Sequence, residues 1–189
     1  MSLQNFPGHE RFVALIDQAV ANPCPESVTK ALRKALCQMI QDRDIELPAE
    51  VFSCCGEHYA RRELYRSENH DYAVIAMTWG PGQGTMIHDH AGLWCVEGVW
   101  SGALEITQYE PSERDGERVR FENCGTIVAG RGSAGSLIPP HEYHTIRNAS
   151  DTELAVSVHI YAKPMTCCSM FNPTENGWFV QSERILSLD

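Results

Sequence analysis

The stretch that decides the fold, residues 80–90, reads Gly-Pro-Gly-Gln-Gly-Thr-Met-Ile-His-Asp-His. Its end places His88 and His90 two positions apart, and on an extended strand such residues share a face. Two imidazoles on one face form half of a metal site. His144 lies in a second strand-like segment and His159 in a third. The sequence therefore predicts a site that is assembled from separate strands.

Composition bounds the class of protein before any motif is considered. The chain has 189 residues, which suits one domain, and 43% of them are hydrophobic. A net charge of −10 argues against a nucleic-acid or anionic-membrane surface, so we expect a small-molecule partner. The N-terminus lacks the basic and apolar regions of a secretion signal, which predicts a cytoplasmic protein. The eight cysteines are accordingly expected to be reduced thiols.

The pattern of apolar residues predicts helices first and strands afterwards. Residues 9–21 carry an amphipathic helical stripe, a second stripe runs from about Glu26 to Asp44, and a short helix could span 48–54. From Tyr72 onward short β-branched and aromatic segments alternate with turn residues. The predicted strands are 72–79, 87–90, 93–100, 103–109, 117–122, 125–129, 135–138, 143–147 and 154–161. We predict one domain over 1–189, with a helical part at 1–56 and a β-barrel at 57–189.

The strand 154–161 alternates most clearly. Val156, Val158 and Ile160 lie on one face, whereas Ser157, His159 and Tyr161 lie with Ala155 on the other. That second face contains no Lys, Glu or Asp. It therefore suits the wall of a cavity better than open solvent.

Three neutral imidazoles around one metal leave its positive charge unneutralised and keep coordination positions open. Non-heme Fe(II) oxygenases more often use two His and one carboxylate. A site with His ligands alone favours an anionic ligand, and a thiolate is the obvious one because a metal lowers the pKa of a thiol.

The spacing resembles that of the cupin superfamily. Its first motif has a Gly, then His-x-His, a Glu a few residues later and a further Gly, and its second has a Pro before a His and an Asn four residues after it. The matching residues are Gly82, His88, His90 and Gly102 in the first motif, and Pro139, His144 and Asn148 in the second. Cys95 stands where many cupins carry the metal-binding Glu.

A Cys at that position resembles the cysteine dioxygenase family, the thiol dioxygenases of the cupin fold. The resemblance runs from about Arg62 through Cys168. It implies a mainly β fold, a small cupin-type jelly-roll barrel with N-terminal helices packed against it. It also implies an iron held by His88, His90 and His144.

The resemblance assigns five more site residues. Arg62, counted back from Trp79-Gly80, would bind the substrate carboxylate. The Ser-x-His-x-Tyr motif falls on Ser157, His159 and Tyr161, and His159 would hold the Tyr161 hydroxyl toward substrate and O₂ through a hydrogen bond. Some members cross-link this Tyr to the Cys, here Tyr161 to Cys95. Because Cys95 is out of phase with the two histidines, the chain must bend at Ala91-Gly92.

Alternatives remain at two of these positions. In the family a Tyr stands two residues before the arginine, which in this register is Ala60, with Tyr59 one position off. Arg61 is expected to be a surface charge. His141 competes with His144 as third ligand, but it lies three residues earlier, on the other side of an extended segment.

The resemblance implies an Fe(II)- and O₂-dependent enzyme that converts L-cysteine to cysteine sulfinic acid. A 3-mercaptopropionate dioxygenase is the alternative within the class, although relatives with that preference tend to carry Gln in place of the arginine. A non-catalytic cupin that binds a metal or small ligand is the alternative outside it.

Overall fold

Two α-helices open the chain in the computed structural model, which describes residue 3 and residues 5–189. Helix α1 spans His9–Val20 and helix α2 spans Pro25–Gln41, with Pro25 at a first-turn position where its missing N–H costs nothing. A single 3-10 turn follows at Ala49–Phe52. The predicted helices are confirmed, and their ends differ by a few residues from those expected.

The rest of the described chain is mainly β. The strands are β1 (Ala60–Arg66), β2 (Ala73–Trp79), β3 (Ile87–His88), β4 (Cys95–Ser101), β5 (Ala103–Asp115), β6 (Arg118–Gly130), β7 (Ala134–Leu137), β8 (His144–Asn148), β9 (Ala155–Tyr161), β10 (Cys167–Pro173) and β11 (Phe179–Ile185). Three of them, β1, β10 and β11, were not predicted. Arginine and glutamate residues hide the apolar alternation in β1, and β11 is largely polar and partly exposed.

The strands form two antiparallel sheets that face each other. One has the order β1-β2-β9-β4-β7, and the strands of the other close in the order β10-β11-β6-β5-β8-β3. An inner core between the sheets joins Ile75, Cys95 and Tyr161 to Leu104 and Ile146. This is the small jelly-roll barrel that the sequence predicts.

The helices cover the outer face of the five-stranded sheet. Val156, Val158 and Ile160 of β9 belong to the same buried core as the apolar stripes of α1 and α2. A side chain at Gly98 of β4 would meet Leu36 of α2 at 2.7 Å, so the close approach of helix and strand requires glycine. The opposite face of β9 is left for the interior, as its alternation predicts.

Among the described residues, neither α-helix is long and apolar enough to cross a membrane. All eight cysteines are unpaired, as expected for reduced thiols.

Candidate active site

Three histidines converge between the two sheets. His88 in β3 lies directly opposite His144 in β8, and His90 follows in the turn after β3. Their ring centroids are 4.5 to 5.4 Å apart, and one nitrogen of each lies within 4.8 Å of the other two. His90 and His144 are buried at 1% and 0% exposure. The structure thus brings together the three predicted ligands.

Hydrogen bonds set which nitrogen of each imidazole faces the centre. Nδ1–H of His88 donates to the Met86 carbonyl at 3.1 Å, and Nδ1–H of His144 donates to the Glu142 carbonyl at 3.2 Å. Each Nε2 then carries no proton, and Nε2 of His144 is buried without a partner in the described part of the chain. Such a pattern, with one nitrogen held by the backbone and the other unpaired, is typical of metal-binding histidines.

The turn that carries His90 is held by two carboxylates. Asp89 Oδ1 accepts from the backbone N–H groups of Ala91 and Ser169, at 3.1 and 2.8 Å. Glu142, which sequence reasoning passed over, accepts from the His90 backbone N–H at 2.7 Å and lies 3.9 Å from its Nδ1. Ala91 and Gly92 have positive φ angles of 53° and 75°, which make the bend predicted there.

The donor set fits a divalent metal ion. One nitrogen of each neutral imidazole lies within 4.8 Å of the other two, and Nε2 of His144 is buried without a hydrogen-bond partner among the described residues. Orphaned buried polar atoms are costly unless a ligand satisfies them. His141 does not join this group, because its side chain is 68% exposed and its Nδ1 bonds Glu110 at 2.7 Å.

The imidazoles open into a small cavity. Its wall includes tyrosines, an arginine and a group of apolar side chains. The lining residues are Tyr59, Arg61, Met77, Trp79, Thr85, His88, His90, His144, Ile146, His159, Tyr161, Met165, Cys168, Met170 and Leu186. A cavity with this mixture suits a small molecule that has an anionic group at one end.

Arg61, and not Arg62, lines this cavity. The expectation that Arg61 is a surface residue is wrong, since it is 6% exposed. Arg62 lies on the other face of β1, where its guanidinium donates to the Thr78 hydroxyl at 3.2 Å and the Ser53 carbonyl at 2.8 Å. Its predicted place in the substrate cavity is therefore wrong, because adjacent strand residues point to opposite faces.

A β-bulge explains the shift of one residue. The pairing of β1 with β2 is irregular between Glu63 and Tyr65, where β1 contains one extra residue. Residues of β1 before this bulge therefore point to the opposite face from the one that a simple count back from Trp79 predicts. With Arg61 in the cavity, Tyr59 stands two residues earlier and also lines it. The Tyr-x-Arg spacing that seemed absent is therefore present as Tyr59-Ala60-Arg61.

The last residues of the chain hold Arg61 in place. Asp189 Oδ2 accepts from the Arg61 backbone N–H at 2.8 Å, and the Asp189 N–H donates to the Arg61 carbonyl at 2.8 Å. The guanidinium donates to the Ser187 carbonyl at 3.1 Å. Within the described residues no carboxylate forms a salt bridge with this guanidinium, so its charge remains available to an anionic ligand.

Tyr161 and Cys95 lie directly opposite each other on neighbouring strands β9 and β4. Burial raises the pKa of both groups well above their ordinary values, while a hydrogen bond from Tyr161 acts in the opposite direction on Cys95. Cys95 is fully buried at 0% exposure. The two side chains implied in a cross-link are therefore neighbours.

His159 contacts Tyr161 differently from the expected hydrogen bond. Their rings stack at a centroid distance of 6.1 Å, with 15° between the planes. The His159 Nε2 instead pairs with the Ser157 hydroxyl at 2.7 Å, and Nδ1 faces Glu97 at 3.3 Å. Burial lowers the pKa of His159 to about 3, so its ring is neutral.

Acid should destabilise the metal-free protein through these buried rings. Burial lowers the pKa of His88, and lowers those of His90 and His144 well below 6.5. Protons therefore bind the unfolded chain more readily than the folded one. The free energy of unfolding falls as the pH drops below about 6.5, and each ring contributes up to about 1.4 kcal/mol per pH unit. Urea titrations at several pH values from 7.5 to 5.5 measure this slope.

The same urea titrations on the His144→Gln variant separate the contribution of this one imidazole from the contributions of other titratable groups. Glu97 acts in the opposite direction, because burial raises its pKa to about 7 and the folded state then keeps a proton that the unfolded state loses. The variant should show a smaller loss of stability on acidification than the wild type. Equal slopes in both proteins would contradict the neutral buried state of His144.

Comparisons with known proteins identify the family of this chain. The sequence model of the family "Cysteine dioxygenase type I" matches residues 51–174. Cysteine dioxygenase type 1 of Rattus norvegicus is 27% identical over 135 residues, which are 66% of this chain and 62% of that protein. The Danio rerio protein of the same name is 30% identical over 130 residues, 64% of this chain and 60% of its own length. This chain therefore matches about three fifths of the length of these relatives.

A solved structure of a double-stranded β-helix protein from Klebsiella pneumoniae is also similar, with a TM-score of 0.48 and 18% identity, covering 74% of this chain and 93% of that one. The family match includes more than half of the chain and, apart from Leu186, every residue that lines the cavity. The chain belongs to the cysteine dioxygenase type I family.

Proposed function

We propose that the protein is an Fe(II)-dependent thiol dioxygenase that oxidises L-cysteine with O₂ to cysteine sulfinic acid. The observation that supports this proposal is the cavity itself, which is lined by three neutral imidazoles, a buried tyrosine and an arginine without a salt-bridge partner among the described residues. The family relatives are named for cysteine oxidation.

The metal would be held by His88, His90 and His144. All-nitrogen, neutral ligation suits Fe(II) with open positions, and it leaves the full charge of the ion to favour an anionic sulfur ligand. When bound, iron supplies the site at which a thiolate and O₂ are brought together. The remaining roles belong to side chains of this chain.

Arg61 would bind the substrate carboxylate. A planar guanidinium can pair with a carboxylate through two charge-assisted hydrogen bonds, and this one is buried with no salt-bridge partner among the described residues. The Tyr59 ring, stacked on Trp79 at 4.5 Å, forms the neighbouring wall. These contacts would orient the substrate so that its sulfur meets the imidazoles.

Tyr161 would stand beside the reacting sulfur as a neutral phenol. Burial raises its pKa well above 10, so its hydroxyl keeps the proton and donates a hydrogen bond. Cys95 would adjust the position of this hydroxyl without binding metal. A Cys95–Tyr161 thioether remains a prediction of the resemblance, and it would form by loss of two protons and two electrons from the side chains, with the co-substrate O₂ as the oxidant.

The reaction releases one proton per turnover at neutral pH, because a thiol is consumed and a sulfinate is formed. The cavity excludes bulk water, which strengthens the interaction of Arg61 with a carboxylate. An apolar wall of Met77, Ile146 and Met165 limits the size of the substrate. A small thiol is therefore favoured over a peptide or a lipid.

A panel of thiols tests this function. After anaerobic loading with Fe(II), the protein should consume O₂ with L-cysteine and give the sulfinate, identified by its mass increase of two oxygen atoms. 3-Mercaptopropionate lacks the amine and cysteamine lacks the carboxylate, so they separate the two contacts. We expect L-cysteine to have the highest kcat/KM.

Two outcomes would contradict the proposal. A higher kcat/KM with 3-mercaptopropionate would reassign the substrate within the same reaction class. Metal binding without O₂ uptake in the presence of any of the three thiols would favour the non-catalytic cupin.

A further inference from the structure

A buried carboxylate that sequence reasoning did not single out, Glu97, lies beside His159. Glu97 is 6% exposed and stands directly opposite His159 on neighbouring strands β4 and β9. Its Oε2 is 3.3 Å from Nδ1 of His159. Neither of these buried atoms has a hydrogen-bond partner in the described part of the chain, and the contact between them is close without being aligned as a hydrogen bond. Each is therefore the available polar neighbour of the other.

The other nitrogen of His159 belongs to a directed chain of hydrogen bonds. The Trp79 indole N–H can only donate, and it donates to the Ser157 hydroxyl oxygen at 2.9 Å. The Ser157 hydroxyl lies 2.7 Å from Nε2 of His159, and its own proton can be donated to that nitrogen. A neutral imidazole that accepts at Nε2 carries its proton on Nδ1, which faces Glu97.

Glu97 can accept that proton in either of its own protonation states. Burial raises the pKa of Glu97 to about 7, and both the carboxylate and the neutral acid retain an oxygen that accepts. On its far side lies a second cavity, whose walls include the apolar side chains of Val99, Leu104 and Ile127. Ser133 and Ser157 also line this cavity, but among the described residues neither hydroxyl forms a hydrogen bond with Glu97, whereas Nδ1 of His159 lies 3.3 Å from it.

The orientation of His159 reaches the reacting groups through Tyr161. The Tyr161 ring is a neighbour of both His159, at a centroid distance of 6.1 Å, and His90, at 5.9 Å. With Nε2 bonded to Ser157 and Nδ1 beside Glu97, the His159 ring would keep one orientation next to Tyr161. If Nδ1 lost its acceptor, the His159 ring could rotate and would no longer hold Tyr161 in one position.

We propose that Glu97 is a positioning residue that accepts the Nδ1–H of His159, fixes this tautomer and thereby holds Tyr161 at the reacting sulfur. The role of Tyr161 rests on the proposed function. The tautomer of His159 does not, so the two parts can be tested separately.

Two substitutions of Glu97 separate the effect of its hydrogen-bond acceptor from the effect of its negative charge. Glu97→Gln keeps an oxygen that accepts from Nδ1–H, whereas Glu97→Leu removes the acceptor and retains a similar volume. We expect Glu97→Leu to lower kcat for L-cysteine by about 10- to 100-fold, the scale of a misplaced reacting group, with little change in KM. Glu97→Gln should stay within about threefold of the wild type, because the hydrogen bond is retained.

Thermal stability distinguishes positioning from a structural role. Glu97→Leu removes the cost of burying a carboxyl group but leaves Nδ1–H of His159 without an acceptor, so Tm should change little while kcat falls. Val96→Ala is the matched control, since Val96 lies on the same strand and is fully buried in the core beneath the helices. That variant should lower Tm and leave kcat unchanged.

The tautomer is measured directly by ¹⁵N NMR of histidine-labelled, metal-free protein, with the His159 signal assigned by its loss in His159→Gln. The wild type and Glu97→Gln should show His159 protonated on Nδ1, and Glu97→Leu should show a mixture of both tautomers. This measurement needs no substrate, so it tests whether Glu97 fixes the tautomer of His159 even if the thiol panel gives no O₂ uptake.

Three results would overturn the inference. They are an Nε2–H tautomer of His159 in the wild type, wild-type kcat in Glu97→Leu, and a loss of kcat in Glu97→Gln as large as that in Glu97→Leu. If Glu97→Leu fails to fold, the tautomer of His159 in the wild type and the kinetics of Glu97→Gln still test the inference.

Discussion

Replacing His144 by alanine should remove the metal and the activity together. The substitution takes away one of three nitrogens that lie within 4.8 Å of one another, and Nε2 of His144 has no other partner among the described residues. Loss of a group that only supports a metal ligand costs about 10- to 100-fold in affinity or activity, so loss of a ligand should exceed that range. Iron content by elemental analysis and O₂ uptake with L-cysteine measure the two effects.

His141→Ala is the matched control for this experiment. His141 is three residues away and competes with His144 in the sequence, but its exposed ring bonds Glu110 outside the cavity. It should keep full iron content and normal turnover. Full iron occupancy in His144→Ala, or loss of iron in His141→Ala, would move the third ligand to another residue.

Replacing Arg61 by alanine should raise KM for L-cysteine far more than KM for cysteamine. Arg61 is the buried arginine of the cavity, and removing it would leave the substrate carboxylate without its pair. Hydrogen bonds to charged groups contribute about 1.5–3 kcal/mol, so we expect kcat/KM for L-cysteine to fall about 10- to 100-fold. Cysteamine has no carboxylate and should change little.

The adjacent Arg62→Ala tests whether the register of β1 matters. Arg62 ties the segment around Ser53 to Thr78 on the other face of the sheet, so its loss should lower Tm without a selective effect on L-cysteine. Arg61→Lys should restore only part of the activity, because an ammonium group cannot pair in the planar, bidentate manner. A selective rise in KM for L-cysteine in Arg62→Ala would return the role to Arg62.

Local sequence patterns were sufficient to predict the elements whose exposed and buried faces depend only on residues close in the chain. The stripe at residues 9–21 predicts α1 because its apolar side chains recur with helical period, and the alternation of Ser157, His159 and Tyr161 predicts an inward strand face. The strand β1 escaped notice because Arg61, Arg62 and Glu63 mask its buried face. One of those charges is buried because the C-terminal residues hold it, and no local pattern signals a contact across 128 positions.

The sequence by itself determined the helical start, the β-rich remainder and the three histidines that converge, since spacing along a strand decides which side chains share a face. Only the tertiary structure decided that Arg61 faces the cavity in place of Arg62, because a bulge near Leu64 reverses the parity of every residue before it. It also brought Glu97 to His159, since the pairing of β4 with β9 joins residues 62 positions apart in the chain. Cross-strand register depends on the packing of the whole barrel, and this is why it could not be derived from either segment alone.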